Sequence, residues 1–163
     1  MKIIKGDLFK LYGGQQGSAV KIIPHVCNDL GVAGAGFIVP LYNLFPKAKQ
    51  DYQEYVDSQN KAPVDNSLLG DTVFTKILPK IIVANMVAQK GVGMGNGIPI
   101  RYAALAKCME SVRKTCEMIK ERGGKVEIHA PKFGSCRSGG KWELIEELIK
   151  EIWAEQNVTI YEL

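Results

Sequence analysis

The chain has 163 residues, a length that suits one domain with a sizeable buried core. Its 46% hydrophobic and 23% charged content excludes a disordered or fibrous chain. The net charge is only +4, with lysines and arginines scattered among carboxylates, so the basic, aromatic-laced stripe of a nucleic-acid binder is not expected.

In chain order, "MKIIKGDLF" opens as a short β-prone run stopped by Gly6. "GGQQG" reads as a turn before a second strand, Ser18 to Val26. A glycine loop, "HVCNDLGVAGAGF" (His25 to Phe37), follows. "FIVPLYNLF" and Lys47 to Asn60 are then helical, broken near Pro46, the second lying on the surface with Tyr52, Tyr55 and Val56 as its apolar edge. "LLGDTVFTKILPKIIVANMV" predicts two strands joined at Leu78-Pro79-Lys80. The second of them, Ile81 to Met86, is apolar enough for burial on both faces.

A glycine-rich connection, "QKGVGMGNGIPIR", leads into a helix over Arg101 to Arg122. Its Leu105, Cys108, Met109, Val112, Cys116 and Ile119 recur at three- and four-residue steps, and Gly123-Gly124 end it. "KVEIHA" alternates as a strand, "PKFGSCRSGG" is a second glycine and serine loop, "KWELIEELIKEIW" an amphipathic helix and "VTIYEL" a closing strand. The fold expected is α/β, layered around a mixed, largely parallel sheet, in one domain over residues 1–163.

Two further readings narrow the setting. No apolar run approaches the roughly 20 residues of a membrane span, and the N-terminus has no signal-peptide pattern. Cys27, Cys108, Cys116 and Cys136 form no C-x-x-C pair and no zinc-type spacing. A cytoplasmic protein with free thiols, no metal and no membrane partner is the expectation.

Ligands of such sheets bind beyond the carboxyl ends of the strands. Both special loops follow strands and lead into helices, so topology should bring them to the same edge. Backbone N–H groups at such loops can hold an anion without a lysine, and Gly34, Ala35 and Gly36 allow close approach. Two loops facing each other point to a phosphate or pyrophosphate held from both sides.

The segments "KGDLF", "HVCNDLGVAGAGFI", "FPKAKQDY", "LGDT", "APKFGSCRSGGKWELIEELI" and "VTIYEL", in that order, resemble a macro domain. The nearest branch is that of yeast-type ADP-ribose 1″-phosphate phosphatases and the terminal ADP-ribose protein glycohydrolase. The resemblance implies a three-layer α/β/α fold and ADP-ribose or ADP-ribose 1″-phosphate as ligand, with ADP-ribosylated protein a further candidate partner and no cofactor. Asp7 matches the acid that accepts from the adenine amino group, Leu8 lies beside the base, and Leu163 matches a residue at the adenine end. Asn28 matches the residue facing the distal ribose. Gly34, Ala35, Gly36 and Phe37 match the first phosphate loop. Lys132, Phe133, Gly134, Ser135, Cys136, Arg137 and Ser138 match the second.

Catalysis stays open at this level. The glycohydrolase lysine and aspartate positions fall at Gln89, beside Lys90, and at Ser138. A serine cannot replace a carboxylate base, and glutamine forms no Schiff base. His25 matches a histidine of the phosphatase branch, and an imidazole titrating near neutrality could activate water, with Asn28 and Asp29 beside it. Dephosphorylation of ADP-ribose 1″-phosphate is therefore the leading reaction, and a non-catalytic reader of free or protein-linked ADP-ribose the alternative. Asp7 as a turn cap, Asn28 as a turn former and His25 as a structural hydrogen-bonder are the plain alternatives. Cys27 and His129 are read as packing and structural residues.

Overall fold

The computed structural model describes residues 1–13, 17–61, 67–95 and 97–162. Gly14, Gln15 and Gln16 of the expected turn, Asn96 of the glycine-rich connection and Leu163 lie outside the described residues. Among the described residues six strands form one sheet: β1 Lys2–Lys5, β2 Val20–Asn28, β3 Thr72–Leu78, β4 Ile81–Gln89, β5 Val126–Pro131 and β6 Val158–Glu162. Their order is β1-β6-β5-β2-β4-β3. Every pairing is parallel except β3 with β4, the hairpin turned at Pro79 and Lys80.

Four α-helices among the described residues cover the two faces: α1 Ile38–Leu44, α2 Pro46–Asn60, α3 Tyr102–Glu121 and α4 Trp142–Ile152. The period-two alternation of the central strands assigns each side chain to a layer. Ile22, Ala84, Met86 and Ala88 meet Leu105, Met109, Val112, Ile145 and Ile149 of α3 and α4 on one face. Ile23, Ile81, Val83 and Val87 meet Leu41, Tyr42, Ala48, Tyr52 and Val56 of α1 and α2 on the other. The result is the expected three-layer α/β/α arrangement.

Helix α2 is set deeper than its polar sequence predicts. Pro46 occupies its first turn, where a missing N–H does no harm, and Ala48, Tyr52 and Val56 at four-residue steps form a buried stripe. Strand β4 is longer than its apolar run and conceals a wholly buried polar residue, Asn85. After β1 the chain makes a short 3₁₀ helix at Leu8–Gly13. Among the described residues no helix is long and apolar enough to cross a membrane.

Candidate functional site

Parallel pairing of β2, β4 and β5 points their carboxyl ends the same way, so the chain leaves all three at one edge. There the loop after β2, the loop after β5 and the connection after β4 surround a cavity of about 560 Å³. It is lined by Gly34, Ala35, Gly36 and Phe37 from the first loop, and by Lys132, Phe133, Gly134, Cys136, Arg137 and Ser138 from the second. Among the described residues no protein acceptor meets the backbone N–H groups of Gly34, Ala35, Gly36 and Phe37. The same holds for Gly134, Cys136, Arg137 and Ser138. Gly34, Ala35, Gly36, Cys136 and Arg137 are exposed, so water serves these donors where no ligand does.

The second loop is closed on itself. Gly140 N–H donates to the Gly134 carbonyl at 2.9 Å, and Gly134 holds φ +75, a conformation that suits glycine. Phe133 anchors the loop in the core, edge-on to Trp153. Lys141, just before α4, donates its N–H to the Tyr102 hydroxyl at 2.8 Å, a cap supplied from α3.

Beneath the first loop lies a buried polar network. His25 Nε2 and the Tyr42 hydroxyl both donate to Asn85 Oδ1, at 2.6 and 2.8 Å, and Asn85 Nδ2 donates to the Ala48 carbonyl at 3.1 Å. Burial drives the His25 pKa down to about 4, and the Asn85 contact offsets only part of that. The expectation of an imidazole titrating near neutrality is thus corrected: His25 lines the cavity as a neutral ring with its tautomer set by Asn85. Cys27, 3.7 Å from His25 Nδ1, is held as a thiol by burial, which pushes its pKa far above the usual thiol range.

Asn28 also lines the cavity, and part of its amide is engaged by the loop, one of the two Nδ2 hydrogens having no protein acceptor among the described residues. Nδ2 donates to Val32 O at 2.7 Å, while Oδ1 accepts from the N–H groups of Leu30 and Val32 at 3.0 and 3.1 Å. That is the turn-forming role of a short amide side chain. Next to it, Asp29 accepts from Gly91 N–H at 2.7 Å and pairs with Lys90 Nζ at 3.0 Å. Asp29 thereby clasps the ends of β2 and β4 together and engages Lys90, which is not part of the cavity lining.

Gln89 and Ser138 do meet in the cavity wall, the Ser138 hydroxyl donating to Gln89 Oε1 at 2.7 Å. The two positions that the resemblance aligns with a lysine and an aspartate are joined here by a neutral hydrogen bond. At the expected adenine end, Asp7 Oδ1 accepts from Phe9 N–H at 2.9 Å, capping the 3₁₀ helix, and Leu8 is buried in the α1/α2 layer. Neither Asp7, Leu8 nor Ser135 is part of the cavity lining, and Leu163 is outside the described residues. His129 is structural as expected, held between the Tyr161 hydroxyl at 2.8 Å and Glu127 at 2.9 Å.

Sequence reasoning missed the third wall. Val92, Gly93 and Met94, from the connection after β4, line the cavity, as do Val32 and Ile38. The only signal was four glycines between exposed apolar residues, a pattern without a period. Among the described residues no cluster of three or more histidine, cysteine, aspartate or glutamate side chains is arranged to hold a metal.

No protein-family model matches the chain. It is 34% identical to a protein of unknown function from Bacteroides thetaiotaomicron, whose solved structure superposes with a TM-score of 0.84 over 99% of this chain and 97% of that one. A macrodomain protein from Streptomyces coelicolor is 27% identical, with a TM-score of 0.77 over 99% and 98% of the two chains. The ADP-ribose 1″-phosphate phosphatase of Debaryomyces hansenii is 26% identical over 172 residues, 93% of each chain. Over its full length, in sequence and in fold, the chain is thus similar to macro domain proteins.

Proposed function

We propose that residues 1–163 form one macro domain that binds ADP-ribose or ADP-ribose 1″-phosphate in this cavity, with removal of the 1″-phosphate as the leading reaction. The observation that carries the reading is the two sets of unpaired backbone N–H groups, at Gly34–Phe37 and at Gly134, Cys136, Arg137 and Ser138, in the wall of one cavity. Amides so placed suit a diphosphate, which accepts several hydrogen bonds without needing a metal. The name of the Debaryomyces hansenii relative supports the reaction.

A non-catalytic reader of free or protein-linked ADP-ribose is the second reading. It is favoured by one detail: His25 is a weak base. Hydrolysis of protein-linked ADP-ribose through a lysine and an aspartate has the least support, because Gln89 and Ser138 stand in those places.

Titration calorimetry with ADP-ribose, paired with a phosphate-release assay on ADP-ribose 1″-phosphate, separates the readings. Saturable binding with phosphate release that falls in His25→Ala, its fold checked by circular dichroism, is the expected outcome. Binding without release leaves the reader, and failure to bind either compound removes both readings.

A further inference from the structure

The cavity is lopsided in charge. Among the described residues its lining contains no carboxylate and two cations, Lys132 and Arg137. Lys132 is already engaged: its Nζ pairs with Glu162 at 2.7 Å and lies 5.1 Å from the centre of the Trp142 ring. Arg137 is exposed, and among the described residues its guanidinium has neither an ion pair nor a hydrogen bond.

The position of Arg137 is as informative as its charge. The side chain starts in the second loop and reaches the first. A Cβ built on Gly36 would lie 3.1 Å from Arg137 Cδ and 3.4 Å from Nε. Gly36 holds φ +77, so glycine serves both the turn and the space the arginine stem occupies. A guanidinium set beside two arcs of N–H dipoles brings like partial charges together, an arrangement that an anion relieves. The planar fork of arginine also matches phosphate oxygens two at a time, which a lysine cannot do.

We propose that Arg137 straps the two loops across the ligand's diphosphate and makes the site prefer diphosphate esters to monophosphates. The proposal rests on the reading that this cavity takes an ADP-ribose-type ligand. Arg137 supplies the formal positive charge that the first loop lacks, and it does so from the opposite wall.

The test is calorimetry of wild type, R137Q and R137K with ADP-ribose, AMP and inorganic pyrophosphate, at salt from about 50 to about 500 mM. R137Q should weaken ADP-ribose and pyrophosphate about ten- to hundredfold, leave AMP far less affected and flatten the salt dependence. R137K should restore the salt dependence but only part of the affinity. Affinity of R137Q for ADP-ribose within about twofold of wild type overturns the strap, as does a loss that salt does not modulate. Should wild type bind pyrophosphate through Arg137 but not ADP-ribose, the strap stands and the ADP-ribose reading falls. Binding of neither compound overturns both.

Discussion

At the scale of single residues, His25 shows how a partner distant in sequence decides what a side chain can do. The ring is 2% exposed, and its proton is committed to Asn85, which lies on the neighbouring strand. Its folded pKa of about 4 is below the ordinary value near 6.5, so the unfolded chain takes up a proton that the folded chain refuses. The stability this contributes is whole above about pH 6.5, drains away as the pH falls and is gone by about pH 4, a change of roughly 3 kcal/mol. Urea midpoints measured from pH 7 to pH 4 should fall accordingly, and His25→Gln, which keeps an N–H donor but does not titrate, should flatten that decline. Parallel curves for the two proteins would place the acid sensitivity elsewhere. None of this was legible in "HVCN", because Asn85 sits inside a run that reads as apolar. Asp7 and Asn28 behave differently: the plain turn-forming roles set out for them from sequence are the ones their side chains perform in the structure.

At the scale of elements, the strands and helices were legible because glycine and proline punctuate them and their apolar residues keep the right period. Residues 101–122 of the expected helix become Tyr102–Glu121, and the two glycine loops do meet at one edge. The connection after β4 was not legible as a wall. Val92 and Met94 follow no helical or strand period, and the clasp from Asp29 to Gly91 joins residues 62 positions apart. The second loop gives a sharper test. A Cβ on Gly140 would run into the Gly134 carbonyl oxygen, which is backbone and cannot swing aside. Gly140→Ala should therefore open the loop, lowering stability by about 1–3 kcal/mol and weakening ADP-ribose binding, with the first visible by thermal melting and the second by calorimetry. An unchanged melt would show that the loop absorbs the methyl group by another route.

At the scale of the whole molecule, order is graded across the sheet. β2 and β4 lie between partners on both sides, and their inward residues are fully buried in the two core layers. β1 pairs only with β6, and all four of its residues are exposed. Amide hydrogen exchange should thus release β1 first and β2 with β4 last, and equal protection across the sheet would contradict that gradient. The clasp of Asp29 on Lys90 and Gly91 joins the ends of two of these central strands. It makes the side of the cavity built on β2 and β4 a fixed jaw, while the opposite jaw, residues 132–140, is latched to it through the Ser138–Gln89 hydrogen bond. A swing of residues 132–140 away from β4 has to break that bond together with the one from Ile100 N–H to the Ser138 carbonyl at 3.0 Å.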